Sequence, residues 1–107
     1  MPMPRGQFSW VEFVTTDAKA AMDFYSHVVG WTTREMPGGG IFTRTDPGIE
    51  PHWLYYFTVD GLTAAIRRVS DKGGRTLEEP MQVPGGGWVV PARDAFGAAF
   101  ALTSENR

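Results

Sequence analysis

Cysteine is absent from this chain of 107 residues. That excludes disulfides, thiolate metal sites and a thiol nucleophile, and it fits a reducing cytoplasm, the expected location. No apolar run approaches the ~20 residues that a membrane-spanning helix needs. The opening segment MPMPRGQ has no hydrophobic signal region, so export is not expected. Charge of either sign is modest: 10 basic and 12 acidic residues give a net charge of −2. The basic residues are scattered, which offers no surface for nucleic acid. Apolar residues, by contrast, make up 42 % of the chain and aromatics 13 %. That is enough for a core in one small domain spanning residues 1–107.

Laid against itself with a shift of 43, the chain shows an ordered repeat. Trp10 meets Trp53, Thr15 meets Thr58, Asp17 meets Asp60 and Ala21 meets Ala64. Further along, Gly30 meets Gly73, Thr33 meets Thr76, Glu35 meets Glu78 and Pro37 meets Pro80. PGGGIF (37–42) then lies over PGGGWV (84–89) after a slip of four. Matches in this order, each at the boundary of an element, point to two copies of one unit.

Each copy begins with a strand and a helix. Residues 8–15 are rich in aromatic and β-branched side chains, which suit a pleated surface. Thr16 or Asp17 can cap the helix that follows. Ala18, Ala21, Met22, Tyr25 and Val28 give it one apolar stripe, and Gly30 can end it in the left-handed region. In the second copy residues 53–59 form the strand and Asp60 is the expected cap. Leu62, Ala65, Ile66 and Val69 form the stripe, and Gly73-Gly74 the stop. Shorter strands are expected near 31–36, 40–45, 75–79, 87–91 and 98–103. A shift of 44 superposes the helix stripes better than 43, and a one-residue slip reverses the face of every strand side chain. The stripe is constrained by burial, so it decides: Trp10 then corresponds to Leu54, and Glu12 to Tyr56. The first copy, passing directly through TRTDPGIEPH into the second, looks about one strand short. A homodimer would cover the resulting gap.

The stretches FVTTDAKAAMDFYSHVVGW, PHWLYYFTVDGLTAAIRRVSDKGG and PGGGWVVPARDAFGAAFAL resemble the vicinal oxygen chelate superfamily, the glyoxalase/bleomycin-resistance/dioxygenase group. They cover most of residues 8–103. The resemblance implies an α+β fold of two β-α-β-β(-β) modules, over 8–47 and 51–104. Their strands would form a curved mixed sheet around a cleft, with helices on the outer face and the first module shortened. It also implies a dimer. Enzymes of this group hold a divalent metal with His, Glu or Gln on inward strand positions, where it acts as a Lewis acid on adjacent substrate oxygens. Carried across, those positions fall on Trp10, on Leu54 (Trp53 in the other register) and on Ala101. Indole and alkyl groups offer a hard cation no lone pair.

The expectation is therefore a metal-free protein, without cofactor, that binds an aromatic or cationic small molecule. Trp10, Tyr56 and Trp88 would stack against a planar ligand, and Glu12 would face its charge. No catalytic residue is assigned, although burial among aromatics could suit Glu12 to acid–base work. The alternative is a metal-dependent lyase, isomerase or dioxygenase-like enzyme with a nonstandard site, in which Glu12 is the base and His52 a ligand. A non-catalytic dimerisation module is a third reading. His27, in the last turns of the first helix, belongs to the surface and favours the helix C-terminus. The PGGG segments lack the Lys-Ser/Thr of a phosphate loop and read as turns.

Overall fold

The computed structural model describes residues 5–31, 39–44 and 50–107. The protein is α+β, with seven strands and two helices among those residues. It divides into two compact units, Trp10–Leu54 and a second that joins Met1–Ser9 to Tyr55–Arg107. The division crosses the first strand after Ser9 and the third after Leu54.

In the unit Trp10–Leu54, strand β1 (Phe8–Thr15) leads to helix α1 (Ala18–Val29) and then to β2 (Gly39–Thr43). β1 and β2 are parallel, with Glu12 opposite Gly40 and Phe13 opposite Ile41. A helical crossover is what a parallel pair requires. Of the two expected caps, Asp17 is the one used: its carboxylate accepts the N–H of Ala20 at 3.0 Å. Thr43 Oγ1 accepts the N–H of Ala18 at 2.9 Å, which ties the helix start to β2. Gly30 closes the helix with φ 84°, donating its N–H to the Ser26 carbonyl. The apolar stripe brings Tyr25 into a cluster of rings, 5.6 Å from Phe13, 5.5 Å from Trp53 and 5.4 Å from Trp31.

In the second unit, β3 (His52–Thr58) contributes its Tyr55–Thr58 end. Helix α2 (Leu62–Asp71), β4 (Arg75–Thr76), β5 (Met81–Gln82), β6 (Trp88–Arg93) and β7 (Ala99–Ser104) follow. β7 runs parallel to β3 and antiparallel to β6, while β4 and β5 pair with β6. The N-terminal residues join this unit through Gly6 N–H to the Thr58 carbonyl, and Thr58 N–H to the Gln7 carbonyl. Leu62 and Ala65 of α2 pack on Val90 and Leu102, with Phe57, Ile66, Val69, Trp88 and Phe100 around them. Leu62 and Val90 are wholly buried.

Several sequence expectations need correction. Asp60 does not cap α2; the cap position is Gly61, which has no side chain to offer. The C-terminal backbone supplies the acceptors instead. The Asn106 carbonyl takes the N–H of Leu62 at 3.2 Å, and the Arg107 carbonyl takes that of Thr63 at 2.7 Å. Asp60 faces Arg68 at 3.7 Å, both largely in solvent. The strand expected over 75–79 is limited to Arg75–Thr76, and the short β5 was not foreseen. The strand expected over 31–36 lies, apart from Trp31, outside the described residues. β3 begins forty-four residues after β1, and α2 forty-four after α1, which agrees with the register chosen from the stripes.

Candidate functional site

Strand parity decides which side chains can share a surface. On β1, Phe13 points to Tyr25 of α1, so Glu12 and Trp10 belong to the face turned away from that helix. Trp10 is 41 % exposed, and Glu12, two residues on, is half-buried. An indole open to solvent beside a carboxylate is an unusual pair for a strand whose other end, Val14 and Thr15, is buried. The first residues of β3 follow the same logic. Trp53 lies 4.6 Å from Phe13 on the α1 side, which leaves buried Leu54 on the face away from it.

In the other unit, Tyr56 is opposite Ala101, and Ala101 is opposite Pro91. The adjacent row, Phe57 with Leu102 and Val90, packs under α2. Tyr56 and Ala101 therefore face away from α2. Trp88 does not: it has the parity of Val90, packs with the α2 core, and carries the Arg107 guanidinium 5.2 Å from its ring centroid. The expectation that Tyr56 and Trp88 line one surface is thereby corrected. They stand on opposite faces of the sheet, because β6 and β7 pair Trp88 with Ser104 and not with Ala101.

The three positions where the resemblance places metal ligands can now be tested. Trp10 and Leu54 face away from α1, and Ala101 faces away from α2. Trp53, the alternative of the other register, is held in the α1 ring cluster. Indole, isobutyl and methyl groups donate nothing to a cation, so the residues present do not fit the group's metal. Among the described residues no cluster of three His, Asp or Glu side chains could hold an ion. His52 opens β3 with Nδ1 2.7 Å from the Glu50 carbonyl. A carbonyl can only accept, so Nδ1 donates its proton in this bond.

The sequence does not single out Phe8, Tyr55, Phe57, Phe100 or Asp94. These five residues line a groove on the α2 side of their unit. Parity on β3 was the available signal, since it separates Tyr55 and Phe57 from Tyr56.

No protein-family model matches the chain. It is similar to CFP32 of Mycobacterium tuberculosis, named as a glyoxylase, with 28 % identity over 96 % of this chain. It is also similar to the anthracycline biosynthesis protein DnrV of Streptomyces peucetius, with 29 % identity over 91 % of this chain. The chain spans about half the length of the curated relatives it matches, 47 % of CFP32 and 46 % of DnrV. Among solved structures, a methylmalonyl-CoA epimerase of Streptomyces coelicolor in complex with 2-nitronate-propionyl-CoA superposes with a TM-score of 0.64 and 17 % identity. That match covers 94 % of this chain and 95 % of the epimerase. A hypothetical protein of Bacillus halodurans gives 0.66 and 13 % identity, over 95 % and 96 % of the two chains. At these identities the structures speak for the fold alone. The fold is the glyoxalase type, and the names of its sequence relatives are in keeping with the resemblance to the vicinal oxygen chelate superfamily.

Proposed function

We propose that this chain is a metal-free small-molecule binding protein of the glyoxalase/bleomycin-resistance type, and that its ligand is a planar aromatic molecule carrying positive charge. The observation that carries this reading is the chemistry of the three positions where the superfamily's metal ligands fall, Trp10, Leu54 and Ala101. They exchange coordinating atoms for an exposed indole and two apolar walls. A flat ring gains from stacking on Trp10, and a cation gains from Glu12 on the same strand face. Tyr56, on the face of its strand away from α2, suits the same class of ligand. The names of two relatives, DnrV and DauV, refer to anthracycline biosynthesis, and anthracyclines are planar polycyclic aromatics. The proposal includes a homodimer working in the cytoplasm.

Titration with daunorubicin, followed calorimetrically and by tryptophan fluorescence, tests this reading. Binding should quench the emission, with less quenching in Trp10→Phe, and should weaken in Glu12→Gln by about two- to fivefold, the range of an exposed cation contact. Unchanged emission and no heat would remove the support for a ligand at Trp10. The enzyme alternative, with Glu12 as base and His52 as ligand, is favoured instead if the purified protein holds a stoichiometric divalent metal that His52→Ala loses. Sedimentation as a stable monomer at micromolar concentration would remove the dimer.

A further inference from the structure

We propose that the unit containing Tyr55–Arg107 carries a second binding site, for an aromatic organic cation, on the α2 side of its sheet. An open groove of about 770 Å³ lies there, walled by Phe8, Tyr55, Phe57 and Phe100, with Asp94 the charged residue of its lining. This volume is within the range of small-molecule sites, roughly 300–1,000 Å³. Tyr56 is on the opposite face of the sheet, and neither Trp10 nor Glu12 is among the lining residues.

The rings form one continuous wall. Phe8 meets Tyr55 edge-on at 5.9 Å and Phe57 at 4.7 Å, and Phe57 meets Phe100 at 6.3 Å. Phe8 remains 64 % and Tyr55 48 % exposed. A contiguous group of rings left open to water has unrealised apolar burial, which a ligand can supply. The negative faces of such rings attract cations.

Asp94 sets the charge. Its Oδ1 accepts the N–H groups of Phe96 at 2.8 Å and Ala98 at 2.9 Å, which pins the carboxylate in the β6–β7 turn. Both bonds use the same oxygen, and Oδ2 stays available to a ligand. The neighbouring Arg93 guanidinium is taken up by the Gly97 carbonyl at 2.8 Å, and no cationic side chain of the described residues lines the groove. An anion would be repelled, and a neutral aromatic would gain the wall without the charge.

The full chain, labelled with ¹⁵N, is titrated with N-methylquinolinium and with neutral quinoline, and amide shifts are followed by NMR. The cation should shift the Asp94–Gly97 turn and Tyr55, and should bind about two- to fivefold tighter than quinoline, as expected for a cation over rings. Asp94→Asn keeps an Oδ1 acceptor for the turn and should narrow the cation's advantage over quinoline to what the rings alone supply. Tyr55→Ala, at a half-exposed position, should weaken both. No tryptophan lines this groove; shifts of the Asp94–Gly97 turn report it and the effect of Trp10→Phe reports the other site, so the two can fail separately. Equal affinities of the two probes, an Asp94→Asn variant with wild-type selectivity, or shifts confined to β1 around Trp10 would each overturn the proposal.

Discussion

Replacing Gly74 by alanine should be among the most damaging single-methyl changes in this protein, for a reason the glycine pair Gly73-Gly74 conceals. Gly73 has φ 90°, in the left-handed region, and meets nothing closer than 3.5 Å if a Cβ is added. Gly74 has no positive φ; it has no room. A Cβ there would lie 2.7 Å from the Arg93 carbonyl oxygen and 2.9 Å from Val69 Cγ1. Relief requires a shift of about half an ångström, the overpacking regime of about 1–3 kcal/mol. The obstructing carbonyl belongs to β6, whose Arg93 is paired with Arg75 on one side and Ala99 on the other. Moving it disturbs two ladders, so the upper half of that range, about 2–3 kcal/mol, is expected. At about 4–8 °C per kcal/mol for a domain near this size, the melting temperature should fall by roughly 10–20 °C. Gly30→Ala is the control: φ is 84° but the space is open, and a conformational cost of about 1–2 kcal/mol is expected. Urea unfolding of both variants gives the comparison. If Gly74→Ala loses less stability than Gly30→Ala, the close approach of β6 to this position is wrong.

The other structural predictions are simpler. Leu62→Ala empties a wholly buried site against Val90 and Leu102 and should cost about 2–5 kcal/mol in chemical denaturation. Asp17→Ala removes the α1 cap and should cost about 1 kcal/mol, whereas Asp17→Asn should be nearly neutral, read by the same assay. Asp60→Ala should change stability by less than about 0.5 kcal/mol, because its contact with Arg68 is a surface ion pair and not a cap. Deleting Asn106 and Arg107 should cost about 1–3 kcal/mol instead, since two N–H groups at the start of α2 lose their acceptors. A loss on Asp60→Ala larger than on the deletion would reverse that assignment.

Periodicity made both helices legible. The stripe around Leu62 marks a buried face, the stripe around Tyr25 one that is only half-buried with Val28 exposed, and Asp17 and Gly30 bound α1 where their chemistry says. The strands of the second copy were also readable, because 53–59, 87–91 and 98–103 carry β-branched and aromatic residues in short runs between turns. Asp60 misled for an informative reason. Its resemblance to Asp17 in sequence is real, but the α2 start is occupied by a backbone carbonyl from the C-terminus, a competitor invisible to local pattern.

The candidate site divided differently. That Trp10, Leu54 and Ala101 lack donor atoms is a property of residue identity, available before any folding. Which aromatics share a surface is not. Tyr56 and Trp88 were grouped from their strand positions, and the pairing of β6 with β7 placed them on opposite faces. The same pairing gathered Phe57 and Phe100 with Phe8 and Asp94 into a groove that no motif announces.

Residue chemistry and spacing by themselves determined the helix faces, the cap of α1 and the absence of coordinating groups where a cation would be held. Tertiary structure alone decided the capping of α2, the side of the sheet each aromatic takes and the crowding at Gly74. The physical reason is range. Stripes and caps are set by neighbours within a few residues, whereas strand register is set by pairing across the chain, and one residue of slip exchanges the two faces.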